Sequence, residues 1–214
     1  MLVSEMMIKD VATVTEDASL NTAYQILYER HHKVLPVLKD GKLSGLITER
    51  MMAEERPSKA TSLSVFEINY LMSRTKVRDI MKKDVFTVGP EVLIEDAAYI
   101  MYTNNIGSLP VIRKDRTLVG IVTQTDIFKA FIVLMGVDQE GTRIELEVQN
   151  DVGVVANISR ILVEDGVNIS SISSYTKGDK LHEIVLKLDI LDADVVGRIT
   201  EKLSQAGYRI MSVH

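Results

Sequence analysis

Apolar residues along the first two thirds of the 214-residue chain fall into two matching sets. Leu20, Ala23, Ile26 and Leu27 recur at intervals of three and four, and so do Ile94, Ala97 and Met101, which predicts one buried helix face in each set. A short extended piece precedes each helix, at Val11–Val14 and at Val85–Val88. A strand follows each, through Leu35-Pro36-Val37 and through Leu109-Pro110-Val111. Polar turns, Lys39-Asp40-Gly41-Lys42 and Arg113-Lys114-Asp115-Arg116, lead into second strands at Leu43–Thr48 and Leu118–Thr123. Each second strand runs into another helix, and the one near Asp126 to Met135 is expected to stop at Gly136 in a left-handed cap.

The two sets are copies. Met7–Val37 and Met81–Val111, at an offset of 74, are identical at 12 of 31 positions, where unrelated sequences of average composition would share roughly two. After one inserted residue the match resumes at an offset of 75, with Asp40/Asp115, Leu43/Leu118, Gly45/Gly120 and Thr48/Thr123. Between the copies, Arg56-Pro57-Ser58 breaks the chain. Ser64-Val65-Phe66-Glu67 then has the spacing of a capping box. It predicts a short helix with Phe66, Tyr70 and Leu71 on one face, packed on both copies.

After Gly136 the period changes. Ile144, Leu146 and Val148 alternate with polar residues, as in a half-buried strand. Val155, Ile158, Ile161 and Leu162 predict a helix ending at Gly166. Ile169 and Ile172 belong to a second strand, Lys177-Gly178-Asp179 to a turn, and Ile184, Leu186, Leu188 and Ile190 to a third strand. Asp192 caps a helix carrying Val196, Ile199 and Leu203, which Gly207 stops before a last strand, Tyr208 to Val213. The order βαββαβ is ferredoxin-like. The fold class is therefore α+β (α/β). The expected bounds are 1–60 and 77–136 for the copies, 61–76 for the segment between them and 143–214 for the last domain. None of these is large enough to bury a generous core alone, so pairing of the copies is part of the stability argument.

Composition narrows the chemistry. Lys and Arg number 25 against 30 Asp and Glu, a net charge of −5 without a basic run, which argues against nucleic acid or an anionic membrane as partner. Cysteine is absent, which excludes disulfides, thiolate metal sites and a Cys nucleophile. The four histidines, His31, His32, His182 and His214, are too scattered for a His-rich zinc site, and no metal is expected. No apolar run approaches the roughly 20 residues of a membrane span, and the N-terminus lacks a basic region followed by an apolar segment, so no signal peptide is expected and the expected location is cytoplasmic. No P-loop, Gly-rich dinucleotide turn or histidine-centred triad is present, and no enzyme activity is expected.

The repeated unit resembles the CBS domain, and the pair resembles a Bateman module. The likeness rests on Thr87-Val88, Gly107-Ser108-Leu109-Pro110-Val111 and Gly120-Ile121-Val122-Thr123-Gln124-Thr125-Asp126, with Met81 at the start of the unit. The last domain resembles the ACT domain through Asn150-Asp151-Val152-Gly153, Ile158 and Gly166-Val167-Asn168-Ile169. Val152 departs from the Pro usual in that loop. The order CBS–CBS–ACT is similar to that of the AcuB family of acetoin-utilisation proteins.

The resemblance implies a regulatory sensor. It would bind an adenine nucleotide (AMP, ADP, ATP or S-adenosylmethionine) as regulatory ligand, with no cofactor otherwise, and would act on a regulated protein. Asp126 offers two acceptor oxygens to two ribose hydroxyls, Thr123 adds a hydroxyl, and the helix beginning there offers N–H groups to phosphate. Val85, Thr87 and Pro110 would line the base pocket, with Gly107 and Ser108 beside them. The competing reading is that Thr125 or Asp126 only caps the helix. The first copy has Met51 where the second has Asp126, and a thioether cannot hold ribose hydroxyls. Its weaker site would comprise Val11, Thr13, His32, Lys33, Pro36 and Thr48, with His32 and Lys33 reaching a phosphate or standing as solvated turn residues. In the ACT-like domain, Asn150, Asp151, Gly153, Asn168 and Ile169 would bind an amino acid, or the domain would only dimerise. The resemblance also implies a homodimer, for which the Phe131–Met135 run offers a helix face. The alternative is a structural or interaction module with vestigial pockets that modulates a partner enzyme.

Overall fold

The computed structural model describes residues 1–29, 32–55, 64–177 and 181–214. The expectations at Arg56-Pro57-Ser58, His31, and Gly178-Asp179 of the last turn lie outside the described residues. The chain divides into two compact units, Met1–Ala130 and Phe131–His214.

In the first unit, α1 (Val3–Met6) precedes β1 (Val14–Thr15), α2 (Leu20–Glu29), β2 (Val34–Lys39), β3 (Lys42–Thr48) and α3 (Glu49–Glu55). Then come α4 (Val65–Arg74), α5 (Val77–Ile80), α6 (Ile94–Asn104), β4 (Ser108–Ile112) and β5 (Leu118–Thr123), and α7 (Gln124–Leu134) runs across the division at Ala130. The strands form a β1-β2-β3 sheet and a β4-β5 sheet. The β2–β3 hairpin turns on Asp40 and Gly41, both at positive φ, which suits the right-handed twist of the strands it joins. The extended piece at Val85–Val88 is reduced to one parallel bridge, Val88 to Val111.

Each copy has its own core. One holds Val14, Leu20, Ala23, Leu27, Leu35, Val37 and Ile47; the other holds their repeat partners Val88, Ile94, Ala97, Met101, Leu109, Val111 and Val122. The opening turns are exchanged, however. Val3 of α1 is buried in the second core, and Val77 of α5 in the first. The following residues continue the exchange: Ile8 bridges Ile121 of β5, and Lys82 bridges Leu46 of β3. Two glycines permit this approach. A Cβ on Gly120 would lie 2.5 Å from Met7 Sδ and 2.9 Å from the Ile8 carbonyl oxygen; one on Gly45 would lie 2.7 Å from Met81 Sδ and 2.9 Å from the Lys82 carbonyl oxygen.

The Ser64 capping box forms, with the Ser64 hydroxyl accepting from Glu67 N–H and the Glu67 carboxylate accepting from Ser64 N–H at 2.7 Å. The face expected to pack does not. Phe66, Tyr70 and Leu71 are exposed, while Met72 is buried in the first core with Ile68 beside it. The helix packs on α2 of the first copy. Both faces of α4 are apolar, and the one that meets α2 is the face of Ile68 and Met72.

In the second unit, β6 (Thr142–Gln149), α8 (Val154–Glu164), β7 (Ile169–Lys177), β8 (Leu181–Leu188), α9 (Ala193–Gln205) and β9 (Arg209–Val213) give the expected βαββαβ order. The antiparallel sheet runs β7-β8-β6-β9. Ile144, Leu146, Val148, Ile184, Leu186 and Leu188 form a core with Ile158, Leu162, Ile199 and Leu203. Asp192 caps α9 by accepting from the N–H groups of Asp194 and Val195. Gly136, Gly166 and Gly207 follow their helices at positive φ, which costs glycine little.

Candidate functional site

Two cavities open in the first unit, and the exchange of opening turns decides their walls. The first, of about 420 Å³, is lined by Val11, His32, Lys33 and Thr48 of the first copy and by Gly107, Ser108, Thr123, Gln124 and Thr125 of the second. The second, of about 430 Å³, is lined by Val85, Phe86, Lys82, Gly107 and Ser108 of the second copy and by Thr48, Arg50 and Met51 of the first. Each cavity therefore joins the loop of one copy to the strand–helix corner of the other.

This corrects the grouping expected from the sequence. Thr123 does not share a cavity with Val85; it faces Val11, His32 and Lys33. Met51 does not face His32; it lines the cavity of Val85, Gly107 and Ser108. Thr48, Gly107 and Ser108 border both. Pro36 and Pro110 are buried in β2 and β4 and line neither, and Thr13, Thr87 and Asp126 also stand outside both linings. The missing information was which copy's corner meets which copy's loop. Gly45 and Gly120, strand glycines at matching positions, were the only sequence signal of a close backbone approach.

The corner at Thr123 is built on a reciprocal cap. The Asp126 carboxylate accepts through Oδ2 from Thr123 N–H at 2.8 Å and from the Thr123 hydroxyl at 2.7 Å, and Thr123 Oγ1 accepts from Asp126 N–H at 3.4 Å. The capping reading is thus realised by Thr123 and Asp126, not by Thr125. Asp126 Oδ1 carries none of the described hydrogen bonds and remains an acceptor behind the Thr123 wall. The corner offers less to an anion than expected. The N–H groups of Thr123 and Asp126 are engaged in the cap, and Gln124 N–H donates to the Gly107 carbonyl at 3.1 Å. The cation in this lining is Lys33, across the cavity, and Asp10 lines the same cavity. At the matching corner, Thr48 Oγ1 accepts from Met51 N–H at 3.2 Å, and Met51 has no oxygen to return the bond.

The second unit has a smaller cavity of about 320 Å³, lined by Asn150, Asp151, Gly153, Val155, Ser174 and His182, among others. Gly153, at φ 93°, is the N-cap of α8 and makes no side-chain cap bond, so the first N–H groups of α8 open toward this cavity. Val155 belongs to the cavity wall and is half exposed, not part of the buried helix face. Asn168 and Ile169 do not join it. They stand at the start of β7, where the Asn168 carbonyl accepts from Asp189 N–H at 3.0 Å. Among the described residues no cluster of acidic and histidine side chains could hold a metal ion, and no helix is long and apolar enough to cross a membrane.

The family model of the CBS domain matches residues 3–57 and 77–133, and that of the ACT domain matches residues 142–208. A homoserine O-acetyltransferase of Methanohalobium evestigatum is 36% identical over 126 residues, which are 58% of this chain and 23% of that enzyme. The chain thus spans less than a quarter of the length of that relative. Among solved structures, the CBS domain pair of protein MJ0100, in complex with 5′-methylthioadenosine and S-adenosyl-L-methionine, is 27% identical with a TM-score of 0.50, over 61% of this chain and 95% of that one. A structure from Vibrio cholerae described as an acetoin utilization protein (AcuB) is 26% identical with a TM-score of 0.53, over 66% of this chain and 97% of that one.

Proposed function

The chain belongs to the CBS-domain family and carries an ACT domain after its CBS pair, and from that premise we propose that it is a regulatory sensor of an adenine nucleotide bound in the first cavity. One observation carries the reading: Thr123, the residue that Asp126 holds, lines the same cavity as Lys33 and His32. A ribose needs a carboxylate acceptor beside a hydroxyl, and a phosphate needs cations at some distance from that carboxylate. The two copies supply one part each. Val11 and Ile121 add apolar wall for a base. The bound adenosyl ligands of the MJ0100 domain pair support the ligand class.

Because the cavity wall is shared, a bound nucleotide stabilises one arrangement of the two copies over others. Coupling of that kind is typically worth about 1–3 kcal/mol, a 5- to 150-fold effect on a partner's affinity. The ACT domain passes this to the regulated protein or answers its own ligand, an amino acid whose carboxylate would lie at the open N–H groups of α8 beside Gly153. The likeness to the Vibrio cholerae protein favours acetoin metabolism as the setting. A structural role with unused pockets is the second reading, favoured by the cap that already occupies one oxygen of Asp126. Calorimetry of the full chain with AMP, ADP, ATP and S-adenosylmethionine separates the two. Saturable binding that Asp126→Ala weakens supports the sensor, and featureless titrations with all four overturn it.

A further inference from the structure

The opening turns that the two copies exchange each end on a methionine, Met7 and Met81, at matching positions of the repeat. Each thioether is packed against the other copy: Met7 lies on the second core and Met81 on the first. Each sulfur also covers the face of a strand glycine. A Cβ on Gly120 would lie 2.5 Å from Met7 Sδ and 3.0 Å from its Cγ, and one on Gly45 would lie 2.7 Å from Met81 Sδ and 3.1 Å from its Cγ. The thioether thus occupies the volume that a side chain would fill. Both methionines are nevertheless only half-buried, so a small solute reaches them.

The chain has ten methionines and no cysteine, so a thioether is the only sulfur it offers to an oxidant. Met52, Met72 and Met101 are buried in the cores, and Met211 is 41% exposed. Met7 and Met81 combine access with close packing on backbone. A hydroperoxide delivers one oxygen to such a sulfur. The S–O bond forms as the O–O bond breaks, sulfur loses two electrons, and the departing oxygen of hydrogen peroxide takes up a proton and leaves as water. The product is a polar sulfoxide in place of an apolar thioether. The new oxygen has no room on the glycine side, where the Ile8 carbonyl oxygen stands 2.9 Å from the Gly120 Cβ position and the Lys82 carbonyl oxygen 2.9 Å from that of Gly45. These carbonyls belong to the exchange bridges. Ile8 and Ile121 trade N–H to carbonyl bonds of 2.9 and 3.0 Å, and Leu46 and Lys82 trade two of 2.9 Å. A sulfoxide oxygen beside them repels the carbonyl and competes for the N–H groups of the bridge. If the oxidised end swings away instead, the glycine and the core lose their cover. Either course weakens the seam between the copies.

We propose that Met7 and Met81 are a paired oxidation site, at which a hydroperoxide converts both thioethers to sulfoxides and parts the two exchange bridges. Ile8 and Ile121 border the first cavity, and Leu46 and Lys82 border the second. Oxidation therefore loosens one wall of each cavity, and a methionine sulfoxide reductase restores it. The effect on a ligand rests on the function proposed for the first cavity, whereas the oxidation site itself rests on the packing alone.

The test treats the full chain with dilute hydrogen peroxide and follows each methionine by peptide mass and each bridge by amide hydrogen exchange. Met211 should oxidise first and leave the exchange rates unchanged. Oxidation of Met7 and Met81 should follow, and with it exchange at the Ile8, Ile121, Leu46 and Lys82 amides should rise about tenfold or more. Methionine sulfoxide reductases should reverse the rise. Met7→Leu should keep Ile8 and Ile121 protected under peroxide while Leu46 and Lys82 still loosen, and Met81→Leu should do the opposite. AMP should bind the oxidised chain more weakly than the untreated one. The site is overturned if Met7 and Met81 remain thioethers after prolonged treatment that oxidises Met211 completely, if their oxidation leaves the four amides protected, or if each leucine variant loosens at both bridges as the native chain does. If AMP binds neither form while peroxide still loosens the bridges, the function proposed for the first cavity falls and the oxidation site stands.

Discussion

The Asp126 carboxylate and the Thr123 hydroxyl are bonded to each other at 2.7 Å, on the wall between the two CBS copies. At the matching corner Thr48 has Met51 opposite it and keeps only the backbone half of that arrangement, at 3.2 Å. One difference between otherwise repeated corners therefore changes two properties at once. It decides whether the helix that follows has a reciprocal cap, and whether the corner carries a carboxylate at all. Asp126 Oδ2 takes the cap, and its Oδ1 carries none of the described hydrogen bonds.

The two roles separate by substitution. Asp126→Asn keeps an oxygen for the cap and replaces the anionic acceptor with an amide donor. It should preserve thermal stability while weakening adenine nucleotide binding by about 10-fold or more. Asp126→Ala should weaken binding about 10- to 100-fold and also lose roughly 0.5–2 kcal/mol of stability with the cap. Calorimetry and thermal unfolding of both variants check this. A wild-type affinity in the asparagine variant would show that the carboxylate is only a cap.

The exchange of opening turns predicts an unusual cost for two small changes. Gly120→Ala places a methyl group 2.5 Å from Met7 Sδ and 2.9 Å from the Ile8 carbonyl, and Gly45→Ala places one 2.7 Å from Met81 Sδ and 2.9 Å from the Lys82 carbonyl. A methionine end can swing away, but the backbone oxygen cannot without parting the bridge it belongs to. Each variant should lose about 1–3 kcal/mol, the usual cost of overpacking. Adding Met7→Ala to Gly120→Ala should recover little of it. Unchanged midpoints of thermal unfolding in both single variants would contradict the exchanged packing.

Much of this fold was legible because burial follows period. Leu20, Ala23 and Leu27, their partners Ile94, Ala97 and Met101, and the alternation of Ile144, Leu146 and Val148 all lie where their spacing places them. Two things were hidden. In α4 both faces are apolar, and spacing cannot choose between Phe66-Tyr70 and Ile68-Met72; contact with α2 does. The cavity walls were hidden because a repeat aligns each corner with its own loop, whereas the exchange at Met7-Ile8 and Met81-Lys82 seats it against the other copy's loop. The side chains nominated for ligand binding were grouped by chain order and not by space.

Helix α7 carries Phe128 and Phe131 at 66% and 57% exposure, three residues apart on one face. Ile132, Val133 and Leu134 beside them are exposed as well. Apolar surface of this kind on a chain expected to pair with a copy of itself should be covered by that pairing. Light scattering at micromolar concentration should give the mass of a dimer. The double variant Phe128→Ser, Phe131→Ser should shift it toward the monomer without loss of secondary structure. A monomeric native chain would overturn the expected homodimer.

Acid should loosen the second unit at a defined point. The Asp165 carboxylate, at the end of α8, accepts from Lys202 Nζ at 2.7 Å and lies 3.5 Å from Arg198 Nε, both on α9. The Lys202 hydrogen bond holds the Asp165 carboxyl below the usual carboxylate range; the charge of Lys202 and the bond to Arg198 add to this, and desolvation opposes it. A carboxyl whose pKa is lower in the folded state stabilises that state fully above its unfolded value of about 3.9. The contribution is lost as pH falls through the lower folded value, because the unfolded state then binds the proton first. Asp165→Asn should therefore reduce amide protection in α8 and α9 by a constant factor above about pH 5, and the gap to the native chain should close as pH drops below about 3.9. Hydrogen exchange at a series of pH values, with protection corrected for intrinsic rates, reads this gap directly. A gap that stays constant to pH 3 would mean that the asparagine acts through packing and not through the charge that links α8 to α9.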